Sequence, residues 1–168
     1  MPIFLQYILP ATILIAALVD DLKTRKIHNK LVIVCFSVSF VIIAATGGLT
    51  GIKISLLASA TALIIMLPFV LMKALGAGDM KLMMAFGIAS NPNDVFWIII
   101  YSFFWGAILG LFKAIMNKQG VELLKNTVKL ASKKIKSQDE LHKIPFTVAL
   151  FFAWLTQLTL HTQFLEVF

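Results

Sequence analysis

Asp79 stands in Gly76-Ala77-Gly78-Asp79, between two strongly apolar stretches of a 168-residue chain whose composition is 60% hydrophobic. A carboxylate at the margin of a membrane segment is costly unless it has a partner or a task, so it marks a candidate functional site. The comparably placed acids are Asp20 and Asp21, where the first apolar stretch ends. Two carboxylates brought to one boundary are the minimum equipment for aspartic protease chemistry. Like charges a few ångströms apart do not both ionise readily, so such a pair holds one proton between them. The ionised member takes a proton from water as the water attacks the scissile carbonyl. The protonated member donates to the carbonyl oxygen and later to the leaving amine. No metal or organic cofactor is needed, and the sequence leaves open which Asp takes which role, because the pair titrates as a unit.

Gly76 and Gly78 remove two side chains beside Asp79, leaving room for an extended peptide and for backbone conformations closed to other residues. The plainer alternative for both is helix packing or a simple turn. Asp79 has a plainer alternative too, a structural ion pair with Lys81 or Lys73. Asp20 competes with Asp21, but on a helix it points about 100° away and suits capping or orienting the following loop. His28 is a loop residue rather than a base. Trp97, Trp105 and Trp154 are packing or lipid-facing residues.

The elements that must position these groups are all helical. A mean hydropathy of +0.92 with 14% charged residues lies far from soluble domains, where about a quarter of residues are charged. Apolar runs extend over Ile3 to Val19, Leu31 to Thr46, Ile54 to Leu75, Met80 to Ala89, Val95 to Met116 and Phe146 to Leu160 or beyond. The expected architecture is one all-α membrane domain over 1–168 with about six transmembrane helices. The fourth run is short: at 1.5 Å per residue it reaches about 15 Å, half of a hydrocarbon core of about 30 Å. A re-entrant segment is the alternative there.

Charge placement argues for a crossing. With the N-terminus outside and six spans, every Lys and Arg except Lys53 falls on the cytoplasmic side, whereas a non-spanning fourth run would place Lys113 to Lys143 outside, against the positive-inside rule. The same parity puts Asp21 and Asp79 together on the cytoplasmic face. The polar stretch 117–144 carries Val121, Leu124, Val128, Ala131 and Ile135 at helical spacing opposite several lysines. It suits a basic amphipathic helix on an anionic leaflet, or a solvated connector whose lysines set topology. The +7 net charge is thus explained by membrane orientation, and no nucleic acid partner is expected. The first apolar run has no basic segment before it and ends in acids rather than a small-residue cleavage site, so it reads as a retained helix.

Asp21-Leu22-Lys23-Thr24-Arg25-Lys26-Ile27-His28-Asn29-Lys30-Leu31 resembles the first motif of type IV prepilin peptidases, in which an Asp is followed six residues later by an Ile-Pro-Asn-like triplet. Gly76-Ala77-Gly78-Asp79-Met80-Lys81-Leu82 is similar to their second, GxGD motif, and Lys143-Ile144-Pro145-Phe146 to the segment before their last helix. The resemblance selects Asp21 over Asp20 and implies an aspartic endopeptidase with Asp21 and Asp79 catalytic. It adds Gly76, Gly78, Ile27, Asn29 and Lys81 as residues of substrate binding or active-site geometry. The implied substrate is a prepilin or pseudopilin, cleaved after a Gly at the junction of its basic leader and hydrophobic helix, on the cytoplasmic face of the inner membrane. His28 stands where the family usually has Pro, which implies a looser loop.

The one cysteine, Cys35, lies in an apolar run and reads as a packing residue. Long forms of the family carry a cytosolic insert with paired CxxC motifs, associated with N-methylation. This chain lacks both, so the resemblance is to the short, peptidase-only form, and neither N-methyltransferase activity nor a metal is expected. Small tight-adherence pilins are the preferred substrates, by family analogy alone. Two other readings remain: another GxGD membrane protease such as a preflagellin peptidase, and a non-enzymatic ion or proton carrier. Carriers need acids near the membrane midplane, whereas these stand at helix ends. A presenilin-like enzyme would carry a Tyr-Asp pair where this chain has Val19-Asp20-Asp21.

Overall fold

A computed structural model describes residues 3–24, 26–116 and 146–166. All its elements are α-helices: α1 (Ile3–Thr24), α2 (Asn29–Leu71), α3 (Ala77–Ile88), α4 (Pro92–Met116) and α5 (Phe146–Glu166). The basic stretch expected at 117–144, the Lys143-Ile144-Pro145 part of the third motif and Arg25 lie outside the described residues.

The 43-residue α2 is two helical arms joined at Gly48, whose φ of 55° and ψ of −155° are non-helical. A straight helix of that length would separate its ends by about 65 Å. Instead the Lys81 ammonium, early in α3, donates to the Asn29 side chain at 3.0 Å. Residues 72–76, spanning at most about 18 Å, must return the far end of α2 to the same place. The chain therefore folds back at Gly48. A Cβ on Gly51 would lie 3.4 Å from the Ile43 side chain and 3.6 Å from its carbonyl oxygen, although eight residues span about 12 Å along a straight helix. The loop expected between Thr46 and Ile54 thus shrinks to one residue in a conformation essentially reserved for glycine. Gly48→Ala should cost about 1–3 kcal/mol in a detergent melt even though the new methyl would meet nothing within 4 Å, because the strain is in the backbone rather than in the space around it.

With α2 counted as two arms, the described residues form six helical segments that run between two ends of a bundle. The end of α1, both outer ends of α2 and the starts of α3 and α5 share one end. The Gly48 reversal and the start of α4 occupy the other. At the site end α2 closes with Lys73 in a left-handed conformation (φ 58°), while the Ala74 N–H donates to Phe69 O at 2.9 Å and the Lys73 N–H to Val70 O at 3.0 Å. This double bond pattern satisfies the last carbonyls of the helix and turns the chain toward Gly76.

The short fourth run is the 12-residue α3, beginning at Ala77 rather than Met80. About 18 Å long, it is enclosed by its neighbours: Leu82, Met83, Ala85, Phe86, Ile88 and Ala89 are at most 1% exposed. Small residues set the contacts. The α-carbon of Gly87 faces the backbone of Ala58 and Ser59 on the second arm of α2, and Ala62, Ala149 and Ala153 are fully buried nearby or across the bundle. The outside is apolar instead of polar, with Ile33, Val34, Val41, Leu57, Ile64 and Phe104 all at least 60% exposed. Two stretches, Asn29–Leu71 and Pro92–Lys113, are long and apolar enough to cross a membrane, and Phe146–Leu160 is a shorter apolar helix. Cys35 is half-buried against the core, as a packing residue would be.

Candidate active site

The GxGD segment is a helix start. Gly76 is the N-cap of α3 with ordinary extended angles (φ −76°, ψ 143°), and Asp79 is three residues on. At that position an acidic side chain turns back over the N-cap, and the Gly76 backbone hydrogen-bonds to the Asp79 carboxylate. The first turn of a helix also favours negative charge. The glycines do not serve backbone freedom: among the described residues Gly48 is the glycine with positive φ. Their role is space. A Cβ on Gly76 would stand 3.1 Å from Asp79 Oδ2, whereas one on Gly78 would meet Ile27 Cβ at 3.4 Å, close to ordinary contact. Gly76→Ala should therefore displace the carboxylate and lower turnover about tenfold with little change in melting temperature. Gly78→Ala should stay within about threefold of wild type, and the pair of kcat values measures the contrast.

The loop after α1 is fastened to this helix start. Ile27 packs on Gly78, and Asn29 accepts the hydrogen bond from Lys81. Ile27, Asn29, Gly76, Gly78 and Lys81 thus form one joint between the two Asp motifs. The looseness expected from His28 in place of Pro is not found. The Asp20 carboxylate accepts the His28 backbone N–H at 2.9 Å and contacts its Nδ1 at 2.9 and 3.0 Å. A proline there would have no N–H to give, so His28 and Asp20 replace ring rigidity with a clamp. The His28 backbone bond holds the Asp20 carboxyl below the usual carboxylate range. Asp20 is therefore occupied in the loop, and Asp21 is free to face inward.

Asp21 is buried, 7% exposed, near the end of α1. The hydroxyl of Thr147, second residue of α5 and 1% exposed, donates to its Oδ2 at 2.6 Å. Asp79, just outside the apolar run that begins at Met80, is half-buried. Its carboxyl is pushed up to about 6, first by burial and second by the charge of Asp21, with the Gly76 backbone bond acting the other way. A structural ion pair would have shifted it downward, and Lys81 is engaged with Asn29. Two carboxyls from helices 58 positions apart in sequence thus share one end of the bundle and sense each other's charge. That arrangement can hold a proton on one member while the other stays ionised.

Among the described residues no cluster of His, Cys, Asp and Glu could hold a metal ion. Thr147 is the site residue that sequence reasoning passed over. A signal existed, because it directly follows the Lys143-Ile144-Pro145-Phe146 motif, but a lone threonine at a helix start reads as a cap until its partner is seen.

The model of the type IV leader peptidase family matches residues 8–111, which include both Asp21 and Asp79. The chain belongs to this family. No match is found among curated proteins or among solved structures. The apolar exterior of this bundle and its long apolar helices fit a membrane-embedded member of that family.

Proposed function

We propose that the protein is an aspartic endopeptidase that removes the basic leader of type IV prepilins or pseudopilins at the cytoplasmic face of the inner membrane. The observation that carries this reading is the pairing of Asp21 and Asp79, two acids of separate motifs, at one end of a bundle from the leader peptidase family. The six segments cross the bilayer, and the site end bears Lys23, Lys26, Lys30, Lys73, Lys81 and Lys113, which orients it to the cytoplasm. Lys53, five residues past the reversal, lies at the other end. A prepilin leader ends where its hydrophobic helix enters the membrane, the depth at which the two carboxyls sit.

The extended junction of the substrate lies across the two carboxyls. The ionised Asp takes a proton from a water that attacks the scissile carbonyl, and the protonated Asp stabilises the developing oxyanion and then the leaving amine. Entry of an apolar substrate excludes water and raises the Asp79 carboxyl further, toward the protonated form needed at neutral pH. All groups come from the chain itself, and methyl transfer forms no part of the activity. Co-expression with a panel of prepilins, tight-adherence pilins among them, tests the reading: a leader-sized mobility shift on at least one is the expected result, and no shift on any of them refutes it.

A further inference from the structure

The structure contains an asymmetry between the two carboxyls that neither motif specifies. Asp21 accepts a hydroxyl hydrogen from α5, a helix lying beyond the 8–111 family match, while Asp79, among the described residues, accepts from the cap of its own helix. At 2.6 Å the contact is a short, well-formed hydroxyl-to-carboxyl hydrogen bond. Both partners are buried, so little water competes for the acceptor.

We propose that Thr147 is a positioning residue that holds Asp21 as the ionised general base of the pair, leaving Asp79 as the proton-bearing acid. The inference rests on the aspartic peptidase reading and deepens it by assigning the two roles. A hydroxyl donor stabilises the anionic form of its acceptor, and it fixes the rotamer of Asp21 so that the other oxygen, Oδ1, remains for the water. Asp79 has the opposite surroundings: partial burial plus a neighbouring negative charge favour its protonated form.

The other charged groups at this end leave the assignment intact. On α1, Asp20 is engaged by His28, and Lys23 is exposed. On α3, Lys81 is engaged by Asn29, at the start of α2 Lys30 is exposed, and Lys26 and Lys73, in the turns on either side of α2, are exposed as well. Lys113 lies one turn before the end of α4, and α5 presents Phe146, Thr147, Val148 and Ala149 with no charge. Thr147 hydrogen-bonds to Asp21 within the bundle, and the charge of Asp21 is felt at Asp79.

Thr147→Val keeps the branched shape and deletes the donor, whereas Thr147→Ser keeps the donor. With a cleaved prepilin as probe, Thr147→Val should lower kcat about 10- to 100-fold at nearly constant KM. The acid-side limb of its pH profile should move upward, because the pair loses a donor to its ionised member. Thr147→Ser should restore the profile and most of the rate. An unchanged profile in Thr147→Val overturns the assignment, as does a rate loss that Ser fails to rescue. A substrate-free measurement separates this inference from the function. In detergent micelles at one fixed neutral pH, the carbon-13 carboxyl resonance of Asp21 should differ between Thr147→Val and wild type and return toward wild type in Thr147→Ser, whether or not any prepilin is cleaved. Coincident resonances in all three proteins would refute the role of Thr147, while failure of wild type to cleave any prepilin would refute the function alone.

Discussion

Asn in place of either Asp21 or Asp79 should bring leader cleavage to background, a loss of at least about 10³-fold, while membrane insertion persists. Asn keeps the size and most hydrogen-bonding capacity of Asp but has no proton to share, so the pair loses its acid-base capacity. Asp20→Asn should be comparatively mild, since Asp20 serves the His28 clamp and an amide oxygen can still accept that backbone N–H. Mobility-shift assays on membranes containing equal amounts of each variant check the ranking. Substantial cleavage by Asp21→Asn or Asp79→Asn would exclude a two-aspartate mechanism.

The same substitution at Asp79 should also stabilise the fold. A carboxyl raised from 3.8 to about 6 is one the folded state would rather keep protonated, and two units correspond to about 3 kcal/mol at neutral pH as an order of magnitude. The folded protein binds this proton more tightly than the unfolded chain, so wild type gains stability as pH falls through about 6, and the gain is complete below the unfolded value near 3.8. Asp79→Asn removes that dependence. Its melting temperature should therefore exceed that of wild type most at pH 8, with the gap closing between about 6 and 4. A gap independent of pH would mean that packing, not ionisation, separates the two proteins.

Gly87→Ala should be the most damaging single-methyl change in the bundle, costing about 3 kcal/mol. Its Cβ would stand 2.8 Å from the Ser59 α-carbon and nitrogen and 2.9 Å from the Ala58 carbonyl carbon. Those are backbone atoms of a packed helix, with no flexible side-chain end to swing aside, so α3 and the second arm of α2 would have to separate. Because α3 carries Asp79, activity should fall together with stability. Gly110→Ala, where nothing lies within 4 Å, is the matched control and should leave the melting temperature unchanged or slightly raised. Equal melts for the two variants would show that the helix contact at Gly87 yields readily.

Hydropathy alone determined the all-helical class and the six apolar segments, because a chain surrounded by lipid must satisfy its backbone hydrogen bonds within each segment. Charge parity placed Asp21 and Asp79 at a common end, since helices that alternate in direction return alternate loops to the same side. The six-residue interval from Asp21 to Ile27 and the GxGD spacing identified the motifs. Sequence periodicity was blind to contacts between helices. It located the break between Thr46 and Ile54 but not its collapse onto Gly48, which depends on two arms packing close enough to need a one-residue reversal. It suggested conformational freedom for Gly76 and Gly78, although both have ordinary backbones and the requirement is room for the Asp79 carboxylate and for Ile27. It anticipated a slack loop at His28, because the clamp from Asp20 spans eight residues and forms only when α1 ends beside the start of α2. Thr147 lies 126 residues from Asp21, and no local pattern joins them. Local chemistry is written in the order of residues, but which buried hydroxyl meets which carboxylate is decided only when the helices pack.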